Sequence, residues 1–317
     1  MNAQEKSIIA PLVYYNLLDR PLTALEIYKY QSKNDENQEL SIFSFARLRK
    51  ILKNSPSLKN QLAEKNGLYF LKDRGVLTEL RSLRLKTAQL KWKKLKRLSR
   101  FLVLAPFLKL AVVTGSLTAY NTKKLSDFDL LIILKKNRLW LGRLLLTGLV
   151  GTLCKRRHGH LTQDRICLNC YLTEENLEIT TQAKPRDFHS AQEYGRLTPI
   201  LEIKKGVYEN FIQANAWLES FLKNYPWPNN INAKKIQPFV IFNSIRQIFE
   251  WLMGGKMGDW LEEIAGKWQS KRINKKRREE QTNLDQVFVN NNCLMFHPQS
   301  KSDKLMKEFN LKMQKIN

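Results

Sequence analysis

Apolar residues recur at helical spacing from Ile8 to Leu18, and Asp19-Arg20-Pro21 stops the run. Thr23 with Glu26 forms a capping-box pattern that opens a second helix through Tyr30. After a polar stretch, Lys33 to Glu39, the spacing of Phe43, Phe45, Leu48, Ile51 and Leu52 predicts a third helix. Arg47, Arg49, Lys50 and Lys53 surround it. Between Gln61 and Lys72, Asn66-Gly67 sits between short apolar runs, the strongest short-range signal for a tight hairpin turn.

Three helices followed by a hairpin, over residues 1–75, is the order of a winged-helix-like unit. Such a unit contacts DNA through its third helix or serves in packing and protein contact. Residues 76–106 read as a connecting helix, basic through Arg81, Arg84, Lys91, Lys94 and Arg97, with Leu77, Leu80, Leu83, Leu90, Leu95 and Leu98 as its apolar stripe. Residues 107–185 change to α/β character. Leu108 to Thr114, Phe128 to Leu134 and Arg165 to Leu172 predict strands, and Arg138 to Cys154 a helix. Residues 186–317 read as a mostly helical C-terminal region, with aromatic-rich helices at Val207 to Leu222 and Phe239 to Met253. The helix from Gly258 to Glu280 turns basic toward its end. Trp217, Phe221, Trp251 and Trp260 fall at helical spacings that core packing explains.

Charge narrows the choice of partners. A formal net charge of +25 over 317 residues favours an anionic one: nucleic acid, nucleotide phosphates, an anionic membrane surface or an acidic protein. The runs Phe101 to Leu117 and Leu139 to Cys154 are interrupted by Pro106, Lys109 and Arg143 and are short for membrane spans. Cys154, Cys167, Cys170 and Cys293 do not suggest a disulfide framework, and Met1 to Lys6 lacks the order of a signal peptide. A reducing cytoplasm is therefore the expected location.

The segment that carries chemistry is Val112-Val113-Thr114-Gly115-Ser116, a short loop, then Ser126-Asp127-Phe128-Asp129 opening an apolar strand. A buried strand delivers Gly115 and Ser116 to its end. There the glycine allows close backbone approach and N–H groups at a helix start can meet phosphate oxygens. Asp127 and Asp129 are two apart and share one face of the returning strand. Adjacent carboxylates repel unless a cation lies between them, and Mg²⁺ suits oxygen ligands completed by substrate phosphates.

Gly115-Ser116 followed by Asp127-x-Asp129 resembles the signature of the DNA polymerase β-like nucleotidyltransferase superfamily. Cys167-x-Asn169, Leu172-x-x-Glu175 and Phe296-His297-Pro298 extend the resemblance to a bacterial group with a winged-helix-like head and a helical tail. The resemblance implies an α/β (α+β) nucleotidyltransferase core with a mixed sheet, with its cleft between the centre and the C-terminal helices. It implies transfer of a nucleoside monophosphate from an NTP to an acceptor hydroxyl, with two Mg²⁺ ions and pyrophosphate release. Gly115 and Ser116 would hold the triphosphate, and Asp127 and Asp129 the metals.

The superfamily commonly adds a third carboxylate from a later strand. Here the centre of that strand offers Asn169, which cannot act as a base, and Asp164 lies just before it. These two are the candidates for the third position, with Glu174, Glu175 and Glu178 more distant. The missing acid keeps a second reading open: a catalytically degenerate protein that binds nucleic acid or regulates. Membrane-surface attachment through the basic amphipathic segments is a third. His158-x-His160 with Cys167-x-x-Cys170 offers zinc ligands, yet positions 167 and 170 are expected on opposite faces of a strand. His189 and His297 stand alone and read as packing or surface residues.

Overall fold

The computed structural model describes residues 1–33, 44–157, 159, 161–179, 185–226, 234–279, 287–296 and 302–316. Most of the polar stretch after Lys33, together with Phe43, His158, His160, His297 and Pro298, lies outside them.

Helix α1 (Ala3–Leu17) starts at Asn2, whose side chain accepts from the Glu5 N–H while the Glu5 carboxylate accepts from the Asn2 N–H. Two N–H groups left over at a helix start are thereby satisfied. The helix is buried all round from Ser7 to Asn16, so it runs through the core and not along its edge. Strand β1 (Leu22–Thr23) leads into α2 (Ala24–Tyr30), where Thr23 and Glu26 form the expected capping box. Helices α3 (Phe45–Asn54) and α4 (Pro56–Gln61) follow, then β2 (Leu62–Lys65) and β3 (Leu68–Leu71). Asn66 and Gly67 both take positive φ, 56° and 73°, the geometry of a two-residue turn that matches strand twist. The three strands form a small antiparallel sheet in the order β1-β3-β2.

Helix α5 (Leu77–Leu102) is as long as expected, but its stripe differs. Leu83 and Leu90 face solvent, while Arg84 and Lys91 are buried beside Ala88, Trp92 and Leu95. The two cations turn inward because loop carbonyls need donors there. Arg84 donates to the Leu18 and Asp19 carbonyls and to Asn121 Oδ1, and Lys91 donates to the Ser126 carbonyl.

The main sheet is mixed and six-stranded. It contains β4 (Leu108–Val113), β5 (Phe128–Leu134), β6 (Ile166–Thr173), β7 (Thr198–Glu202), β8 (Val287–Val289) and β9 (Cys293–Phe296), ordered β7-β4-β5-β6-β9-β8. Among the described strands, β5 and β6 pair in parallel and the other neighbours are antiparallel. Beyond 186, where the pattern reads as mostly helical, the described residues also include β7, β8 and β9 between the helices. These strands are three to five residues long, and β7 carries Pro199, so no period appears in them. Pairing with β4 and β6, distant in sequence, specifies them.

One face of this sheet (Val112, Leu131, Ile133, Leu172) packs on α1, α8 (Phe188–Tyr194), α9 (Val207–Ala214) and α12 (Ser302–Ile316). The other (Val113, Leu130, Ile132, Leu134) packs on α5, α7 (Leu139–Thr152) and α11 (Gly255–Glu279). Helix α10 (Val240–Leu252) is turned inside out. Buried Arg246 pairs with Glu250 at 2.6 Å, and Glu250 accepts from the Phe107 N–H, while Val240 and Trp251 are 81% and 80% exposed. Trp251 and Trp260 are thus surface residues and not core, whereas Trp217 packs edge-on against Phe221 as expected. Among the described residues, no helix is long and apolar enough to cross a membrane.

Candidate functional site

Strand β4 ends at Val113, and the Thr114 N–H donates to the Asp129 carbonyl at 3.0 Å, tying the turn to the neighbouring strand. Gly115 follows with φ +70°. A Cβ there would lie 2.9 Å from Asp129 Oδ2. Both the backbone conformation and the approach of the carboxylate therefore require glycine. Residues Gly115–Thr118 make one turn of helix, α6, and Ser116 stands exposed at its start. The Asn121 N–H returns to the Ser116 carbonyl at 2.9 Å and closes the loop.

Asp127 and Asp129 approach each other as their spacing implies, and the third member of the group is Cys167. One ligand atom from each lies within 4.8 Å of the others. The register explains this. Asp129 pairs with Cys167 and Leu130 with Leu168, but Leu131 pairs with Cys170, so Asn169 is the extra residue of a bulge. Paired residues of adjacent strands share a face, which puts the Cys167 thiol beside the Asp129 carboxyl. The bulge also places Cys170 on the Leu131 face, so the expected opposition of Cys167 and Cys170 is corrected. Buried Cys170 nonetheless joins the apolar packing and not the Asp127–Asp129–Cys167 group.

Neither expected third residue presents a carboxylate here. Asn169 turns its amide nitrogen, and not its carbonyl oxygen, toward Asp129 Oδ1, at 3.4 Å. Asp164 pairs with Lys91 at 2.7 Å and Lys94 at 2.5 Å, while its N–H donates to the Ser126 carbonyl. Burial works to raise its pKa, but the hydrogen bonds from both lysines outweigh this and hold it below the ordinary range. Asp164 therefore anchors the loops before β5 and β6 to α5. Glu174 pairs with Lys204, Glu175 with Lys136 and Glu178 with Arg186, all away from the group.

The electrostatics of the group are unbalanced. Asp129 is pushed up to about 7, first by burial of its carboxyl, then by the charge of Asp127 and then by that of Glu193. Arg157 is the counter-charge: its Nη1 lies 2.7 Å from Asp127 Oδ2 and 3.6 Å from Cys167 Sγ. Burial, followed by the two aspartates, raises the Cys167 thiol to about 12, so it is protonated at neutral pH. Sequence reasoning passed over Arg157 and Glu193 and treated Cys167 as a zinc candidate or a structural thiol. Only the register of β5 against β6 signals the role of Cys167, and nothing local marks the other two.

Gly115, Ser116, Arg157, Cys167 and Asn169 line a cleft of about 1470 Å³, while Asp127 and Asp129 stand next to this lining without forming part of it. The resemblance places the cleft between the centre and the C-terminal helices. Trp268 and Arg272 of α11 do line it, but Tyr15 and Arg20 from the N-terminal unit form a further wall. His189, also on the cleft, shares a 2.7 Å hydrogen bond between its Nδ1 and the Tyr14 hydroxyl, in keeping with a packing role. No protein-family model matches the chain, and searches of the curated proteins and of the solved structures likewise give no match.

Proposed function

We propose that the chain is a Mg²⁺-dependent nucleotidyltransferase that moves a nucleoside monophosphate from an NTP to an acceptor hydroxyl. The supporting observation is that Gly115, held against Asp129, meets the Asp127–Asp129–Cys167 group where Gly115, Ser116 and Cys167 open onto one cleft. On this reading the six-stranded sheet is the transferase core and the N-terminal helices with their hairpin are a winged-helix-like unit. The cleft exceeds the roughly 300–1,000 Å³ typical of a single small ligand and has room for nucleotide and acceptor together.

The two carboxylates, Asp127 and Asp129, fit a hard divalent cation, whereas the protonated thiol of Cys167 beside them is no ligand for it. Mg²⁺ bound there would offset the carboxylate charge and stabilise the charge developing on the transferred phosphoryl group and the leaving pyrophosphate. The chain's own residues do the rest. The glycine backbone lets phosphate oxygens approach β4, and the Ser116 hydroxyl donates to them. Arg157 neutralises Asp127 in the free protein and is exposed enough to swing toward a phosphate when a cation takes its place. Asn169 steers Asp129 through its amide N–H.

The test is calorimetric titration of each Mg²⁺–NTP into the protein, with Asp127→Ala alongside. Binding that requires both Mg²⁺ and Asp127 supports the reading. Absence of nucleotide binding by the folded wild type would refute it. A second reading, nucleic-acid binding by a catalytically silent core, is favoured by α3, where Arg47, Arg49, Lys50 and Lys53 all face solvent. Affinity for DNA or RNA that falls steeply with salt, and is lost when these four are replaced by Ser, would carry it.

A further inference from the structure

Buried arginines ordinarily pair with an acid, because removing a guanidinium from water costs several kcal/mol. Arg196 departs from this. It is 8% exposed, no carboxylate pairs with it among the described residues, and its Nε and Nη1 meet no hydrogen-bond partner. Its guanidinium lies 5.2 Å from the centre of the Tyr15 ring and 5.7 Å from that of Tyr30. Arg20, 4% exposed, lies over the same two rings at 4.8 and 5.7 Å. Only Arg20 has an acid, Glu26, at 2.6 Å, and that acid is shared with Arg81. Burial of Arg196 lowers its pKa to about 10, which still leaves it charged at neutral pH.

Both arginines line the cleft. Arg196 comes two residues before Thr198, which pairs with Val113 of β4, and Gly115 lies two residues beyond Val113. Antiparallel pairing thus brings Arg196 to the end of the sheet that carries Gly115 and Ser116. The aromatic faces explain how the cations are tolerated, since the negative face of a ring attracts a desolvated guanidinium. They supply no acceptor for its N–H groups. An oxyanion would supply both charge and acceptors, in the fork geometry that guanidinium groups favour.

We propose that Arg196 is the receptor for a phosphate group carried by a ligand of this cleft. The inference deepens the nucleotidyltransferase reading, yet its first test is independent of that reading. The phosphate belongs to the nucleotide itself or to a phosphorylated acceptor, and the experiment separates the two.

Thermal unfolding of the full chain is followed with inorganic phosphate, against chloride at equal ionic strength, without Mg²⁺. The same titration is run on Arg196→Met, Arg196→Lys and Asp127→Ala. The wild type and Asp127→Ala should be stabilised by phosphate. Arg196→Met should lose that response while its midpoint without phosphate stays equal to or above that of the wild type, because an unpaired buried charge is gone. Arg196→Lys keeps the charge without the fork and should bind phosphate roughly tenfold more weakly. If Arg196→Met does not fold, the lysine variant decides by the same comparison. A wild type indifferent to phosphate, or a phosphate response unchanged in these arginine variants, would overturn the proposal and leave Arg196 a stacking residue. Mg²⁺–NTP titration then assigns the phosphate. Affinity weakened about tenfold or more in Arg196→Met makes it the nucleotide's, whereas unchanged nucleotide affinity with a lost phosphate response makes it the acceptor's.

Discussion

An acidic group stands next to the cleft and a basic pair lines its wall, each incomplete in the opposite sense. At the end of β5, Asp127 and Asp129 crowd together with Arg157 as their counter-ion. On the wall, Arg20 and Arg196 share two tyrosine rings, and among the described residues only Arg20 has an acid, Glu26. Burial acts on both in the direction of neutrality, raising the Asp129 carboxyl to about 7 and lowering Arg196 to about 10. A chain selected only for stability would replace such groups with apolar ones, since unpaired buried charges destabilise. Keeping both signs at one cleft suits a ligand that itself carries both, as a cation–phosphate complex does.

Removing the acidic group should give the largest effect. Asp127→Ala and Asp129→Ala are expected to weaken Mg²⁺–NTP binding by about 10²-fold or more, as for loss of groups that act as a unit. Calorimetry reads the loss, and circular dichroism should show an unchanged fold.

The pH dependence of stability sharpens the contrast. The folded-state pKa of Asp129 is raised above its unfolded value, so the folded metal-free protein binds this proton more tightly than the unfolded chain. That contribution to stability is present below about pH 4 and is lost as pH rises through about 7. The metal-free midpoint should therefore fall by several degrees across this window, on the order of a few kcal/mol. Asp129→Asn should flatten the profile. Millimolar Mg²⁺ at pH 8 should restore the wild-type midpoint and leave that of the variant unmoved.

Gly115→Ala places a side chain at positive φ and against the Asp129 carboxylate. A loss of roughly 1–3 kcal/mol in urea unfolding is expected, together with weaker nucleotide binding. Asp164→Asn tests the opposite assignment, because Asp164 is held by Lys91 and Lys94 of α5 and none of the three lines the cleft. Stability should fall by about 1 kcal/mol with nucleotide affinity nearly unchanged. A loss as large as that of Asp127→Ala would return Asp164 to the metal group.

Much of the local structure was legible without coordinates. The Thr23–Glu26 capping box, the Asn66-Gly67 turn and the apolar runs of β4, β5 and β6 rest on interactions within a few residues, and each formed where its pattern places it. The approach of Asp127 to Asp129 follows from the period of a strand, which is a property of the backbone itself. The third member of the group was not legible. One bulge residue, Asn169, changes which side chains of β6 share a face with Leu131, and a bulge leaves no mark in the hydrophobic pattern. Strands β7 to β9, too short to show a period, were likewise hidden within a region that reads as helical.

Position along the chain and the chemistry of individual residues thus determined the elements, the glycine turn and the aspartate pair, because these depend on neighbours close in sequence. Tertiary packing alone decided that Cys167 and Arg157 complete the acidic group, that Asp164 binds α5 instead, and that Arg20 and Arg196 lie over the same rings of Tyr15 and Tyr30. Electrostatic interaction and burial act through space, so no reading of local order specifies which charges will lose their water together.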